Sequence, residues 1–200
     1  MRKKSHISLA KFLMNNMQVQ DLNEHKKAFY IGSILPDITP SFLTKRHTFD
    51  ETIITLIEEI RKITIDYDFK KGINGYYARH LGVITHYLSD YCTYPHNDIY
   101  DGNIKGHVTY EKELKHSLKA YVNQEINQRE RLQRQRNCSF DDIIYLIKKT
   151  HEEYLKAVKN IHQDIHFIIE LSYKVVDAIL SFLEKSLYEL HSSRHSMMYS

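Results

Sequence analysis

The chain of 200 residues has no Trp, two Cys, three Pro and six Gly, and each scarcity removes a class of answer. Cys92 and Cys138 stand alone without repeated spacing, so no disulfide framework or thiolate metal site is indicated. Few Gly and Pro leave little turn chemistry, and no segment alternates apolar and polar residues between Gly-rich turns, which argues against a sheet. No run approaches the 18 apolar residues of a membrane-spanning helix. A formal net charge of +3 is too small to argue nucleic-acid binding from bulk electrostatics. The opening MRKKSHISLAKFLMNN is basic like a secretory leader, but His6, Lys11, Asn15 and Asn16 interrupt it and no small-x-small cleavage site follows. We read it as part of the fold and expect a cytoplasmic protein.

What is abundant is helical periodicity. Hydrophobic content of 42% and charged content of 26% suit one globular domain, expected over residues 1–191 with a disordered tail at 192–200. The pattern predicts an all-α bundle of six or seven helices. They fall near 6–17, 22–32, 49–66, 76–92 and 107–136, then 139–190 with a break around 159–163. Thr48-Phe49-Asp50-Glu51 and Ser139 with Asp142 have the spacing of helix starts. The arginines at 129, 131, 134 and 136 lack interleaved aromatics and read as a solvated helix end.

Against that background stands an ordered set of ligand-type side chains. His86-x3-Asp90 and His107-x3-Glu111 each place an imidazole and a carboxylate one helical turn apart on one face, with His96 in the loop between. One such pair is expected by chance among 13 His and 25 acids; two joined by a third His are not. Imidazole and carboxylate without thiolate suit zinc in a catalytic role. His6, Asp37 in GSILPD and His47 precede them as further candidates. His80 lies six residues before His86, off its face, and reads as a core or supporting group. His25, His116, His151, His162, His166, His191 and His195 follow no ligand pattern and read as surface or packing residues.

In order and spacing, SHISLA, GSILPD, RHTF, THYLSDYCTYPHN and GHVTYE resemble the zinc-dependent phospholipase C family of bacteria, whose superfamily includes fungal single-strand nucleases. The resemblance implies that His47, His86, Asp90 and Asp37 hold one zinc, and His96, His107 and Glu111 a second. It implies that His6 and the other oxygen of Asp90 touch a third. Relatives complete that third site with the amine and carbonyl of a mature N-terminal Trp. With no Trp, and five residues ahead of His6, two or three zinc ions stay open. The implied activity is hydrolysis of a phosphodiester, phospholipid or head-group-like, by zinc-activated hydroxide, with Asp37 as ligand, base or both. Choline-selective relatives carry Tyr directly after the acid matching Asp37. Here that position is Ile38, which argues against assuming a phosphatidylcholine substrate. Tyr87, Tyr91, Tyr94, Tyr100 and Tyr110 near the ligands are candidates to line a pocket or pack the core. Larger relatives append a lipid-binding β-sandwich, so dispersed or soluble esters are expected over packed membranes. Two alternatives stay open: a nuclease on single strands using the same cluster, and a non-enzymatic metal-binding helical protein serving a partner. A solvent-reachable coordination position favours catalysis, and a closed shell favours structure.

Overall fold

The computed structural model describes residues 1–39, 47–124 and 138–198, without the side chains of 191 and 193–198. Within them are eight α-helices and no strand: α1 Lys3–Met17, α2 Gln20–Glu24, α3 Lys26–Gly32, α4 Phe49–Ile63, α5 Gly75–Tyr91, α6 Ile104–Val122, α7 Phe140–Lys156 and α8 Ile161–Met198. Short 3-10 turns lie at Leu35–Asp37, Phe69–Lys71 and Tyr94–His96.

The axis of the bundle is α5. Asn74 starts it by accepting the Tyr77 N–H at 3.0 Å, and its residues are buried almost all round, from Tyr77 to Tyr91. It packs on α3, α4 and α8. Against α3 the approach is backbone on backbone. A Cβ on Gly82 would overlap the Phe29 carbonyl oxygen, and one on Gly32 would overlap that of Arg79. That closeness brings the end of α3 onto α5 near His86. A single apolar core extends from Met1 through Leu56, Tyr87 and Ile147 to Leu183.

Several expected boundaries move. The segment expected as one helix over 22–32 is two, divided at His25, whose backbone leaves helical geometry at φ −103° and ψ 18°. This split raises the count to eight. Thr48 precedes α4, but its side chain makes no capping bond there, so the expected capping box does not form. The box at Ser139 and Asp142 does form, with both reciprocal bonds. Asn103 caps α6 by accepting the Gly106 N–H at 2.9 Å, so that helix opens three residues before His107. It ends at Val122 rather than near Arg136, and the four arginines lie outside the described residues. The break between the last two helices falls at 157–160, and α8 runs to Met198.

Candidate metal centre

Buried on α5, His86 and Asp90 face one another a turn apart, with 3.1 Å between His86 Nε2 and Asp90 Oδ2. His47, two residues ahead of α4, brings Nδ1 to 3.0 Å from His86 Nε2 and 3.2 Å from Asp90 Oδ2. His86 Nδ1 donates to the Ser33 carbonyl at 3.0 Å, which leaves the Nε2 lone pair directed into the cluster. His6, on α1, stacks on His86 with ring centroids 3.9 Å apart. The Ser89 hydroxyl donates to the His86 carbonyl, so its oxygen accepts the His6 Nδ1 hydrogen at 3.1 Å. His6 Nε2 is thereby left as a buried lone pair with no hydrogen-bond partner, 3.5 Å from Asp90 Oδ1. Asp37, on its 3-10 turn, stands 3.9 Å from His47, His86 and His6 and is partly open, 20% exposed against 0% for Asp90.

The second cluster is built from the other pair. Glu111 Oε1 lies 3.2 Å from His96 Nε2 and 3.4 Å from His107 Nε2. His107 is the open member, 35% exposed, and with His96 it borders a cleft of about 530 Å³ lined also by His47, Tyr100 and Ile104. Between the clusters sits a group the sequence reading did not use. The Met1 ammonium donates to Asp90 Oδ1 at 2.6 Å and lies 2.7 Å from His96 Nε2 and 3.2 Å from Glu111 Oε1. The residues ahead of His6 run along α1 and return the terminal nitrogen to the cluster. No residue type signals this, only the position of His6 in the first helical turns.

The electrostatics are those of a site prepared for positive charge. Burial works against ionisation of Asp90, but the Met1 ammonium and the imidazoles of His96, His86 and His6 overcome it and hold the carboxyl well below its usual range. Glu111 is also opposed by burial, yet the His96 bond and the Met1 charge bring it to about 2. Burial above all pushes His6 far down, so its ring is neutral and its lone pair available.

Three groups of ligand atoms gather within 4.8 Å: His6, Asp37 and His86; His47, His86 and Asp90; His96, His107 and Glu111. A tetrahedral ion bonded at about 2.0–2.1 Å separates its ligand atoms by about 3.3 Å. The 3.0, 3.2 and 3.1 Å edges of the His47–His86–Asp90 triangle fit that spacing, and the orphaned His6 nitrogen stands 3.5 Å from the other oxygen of Asp90. All eight residues singled out in the sequence are brought together.

The sequence model of zinc-dependent phospholipase C matches residues 5–161. The chain belongs to that family. Membership makes it, coarsely, a metal-dependent phospholipid hydrolase with zinc as the implied ion. No match is found among curated proteins or among solved structures.

Two supports of the second cluster carry no ligand pattern in the sequence. Asp164 on α8, fully buried, accepts from the Tyr94 N–H at 2.8 Å, the Tyr110 hydroxyl at 2.9 Å and the Tyr154 hydroxyl at 2.8 Å. Tyr94 opens the turn that carries His96, and Tyr110 lies between His107 and Glu111, so one carboxylate ties both ligand-bearing elements to α8. On the other side His151, read as surface or packing, is buried, stacks on Phe49 and bonds through Nε2 to Asn97 Oδ1 at 3.0 Å. His80 pairs with Glu59 away from the ligands, which makes it a core group. Of the five tyrosines, Tyr100 lines the cleft; Tyr87 and Tyr91 are core.

Proposed function

We propose that the protein hydrolyses phosphodiesters of the phospholipid type on the glycerol side, releasing a phosphorylated head group. In this reading His47, His86, Asp90 and Asp37 would hold one zinc, and His96, His107 and Glu111 a second. His6, the Met1 nitrogen and Asp90 would border a third. When bound, the ions supply neutralisation of the phosphoryl charge and a lowered pKa for water. The chain supplies the rest. Asp90, sealed from solvent and ionised, fixes the imidazoles around it. Asp37, partly open and 3.9 Å from His86 Nε2, would in this reading serve as ligand, as the base that takes the proton of the attacking water, or as both. Arg2 and the lysines beside the opening attract the anionic substrate.

The observation that carries the proposal is the pairing of inward-facing imidazole lone pairs with carboxylates beside an open cleft, bordered by half-exposed His107. A solvent-reachable edge supports catalysis over a closed structural shell. The test is the metal-loaded protein assayed on dispersed short-chain phospholipid, a generic phosphodiester and a single-stranded oligonucleotide side by side. We expect lipid hydrolysis that chelation and His86→Ala abolish. Activity indifferent to both would overturn the reading, and preferential oligonucleotide cleavage would favour the nuclease.

A further inference from the structure

Around the opening lie side chains that the chemistry leaves unused. Ile104, the first residue of α6, is 85% exposed although it borders the cleft beside His107, and Val108 one turn on is 49% exposed. Hydrocarbon held in water at the mouth of a polar site is out of place for a small soluble substrate. Lys105 and Lys112 are exposed on the same stretch of α6, one residue after Ile104 and one turn after Val108. The start of the chain joins this strip: Arg2 Nη2 donates to the Val108 carbonyl at 3.0 Å, and exposed Lys3 and Lys4 share an opening of about 580 Å³ with Asp37, His107 and Glu111. Lys115 closes that side. Of the nearby acids, Asp98 lines the cleft, Asp101 accepts the Tyr94 hydroxyl at 2.9 Å, and Glu113 is exposed on α6 next to Lys112 but half a turn away from the Ile104–Val108 stripe.

Apolar side chains among ammonium groups are the chemistry of a protein that lies on an anionic lipid interface, with hydrocarbon entering the head-group boundary and cations meeting phosphates. Single-stranded nucleic acid would call for several aromatic rings between the bases, and among the described residues the cleft lining offers one tyrosine, Tyr100, whose ring is taken up by an edge-on contact with His107 at 6.0 Å. We propose that Ile104 and Val108, with the lysines of α6 and of residues 3 and 4, form a docking surface for anionic phospholipid, setting the metal centre against head groups in place. This rests on the hydrolase reading and replaces the expectation that dispersed esters are preferred.

Sedimentation with vesicles of a non-hydrolysable ether lipid tests it without turnover, so a failure of docking and a failure of catalysis are read separately. The metal-loaded protein should pellet with vesicles containing half phosphatidylglycerol, and far less with pure phosphatidylcholine or at high salt. Each lysine lost, in Lys105→Gln or Lys112→Gln, should weaken binding about fivefold, and Ile104→Asp should weaken it further while thermal stability is unchanged. Absence of binding to anionic vesicles at low salt would overturn the proposal. So would binding indifferent to Ile104→Asp, or an oligonucleotide held more tightly than the vesicles through the same lysines.

Discussion

The two ligand clusters are held in opposite ways. His86 and Asp90 project from α5, a helix buried on most sides, and their geometry is imposed by the core: close backbone packing at Gly32 and Gly82 and the Ser33 carbonyl on His86. His96 lies on a short turn and His107 near the start of α6, a helix whose fully buried residues are only Leu114 and Leu118. Polar clamps, Asp164 and His151, hold those elements from outside. A core-imposed site resists distant change, because displacing it means repacking the interior. A clamped site responds to any residue that sets the clamp.

The largest effect should separate the two directly. His86→Ala is expected to empty the first cluster and cut hydrolysis by about two orders of magnitude or more, whereas His107→Ala should cost one ion and spare the first. Metal counting by mass spectrometry beside activity distinguishes them. Next, Asp164→Asn should weaken metal binding at the second cluster about 10- to 100-fold while His47, His86 and Asp90 keep theirs. Equal loss at both clusters would mean that the clamp is no more than part of the general core. A short peptide placed before Met1 would move the ammonium from Asp90 and Glu111, and we expect about tenfold weaker metal retention, measured by competition with a chelator.

The smallest effect is a pH dependence of opposite sign in the two clamps. Burial, against the bonds from Tyr94, Tyr154 and Tyr110, pushes Asp164 up to about 6 from 3.8. The stability linked to its proton is therefore complete below pH 3.8 and is lost as pH rises through 6. Burial and the charge of Lys159 lower His151 to about 4 from 6.5. Its contribution is present above pH 6.5 and is lost as pH falls through 4. On acidification from pH 7 to 4, the melting temperature should fall more steeply in Asp164→Asn than in the wild type, and less steeply in His151→Gln.

The sequence made the first cluster legible because its parts obey a local rule. His86 and Asp90 sit four apart on a strongly periodic helix, and the order of the other ligands along the chain repeats a family pattern. The all-α class followed from the same periodicity. The clamps were hidden, since Asp164 lies 70 residues from Tyr94 and no period links them. Met1 was discounted for another reason: relatives supply that amine from a mature Trp, and five residues stand ahead of His6 here, yet the chain still brings its terminal nitrogen to Asp90. Thr48 shows the converse failure, where the right spacing for a capping box met a backbone that left its side chain without the bond.

The central claim is that these eight side chains surround cations. Anomalous scattering at the zinc edge, from crystals grown without added metal, tests it most directly. The account predicts one peak bounded by His47, His86 and Asp90 and another bounded by His96, His107 and Glu111. A map with no peak at either position, or with zinc only at surface histidines such as His116, would contradict it.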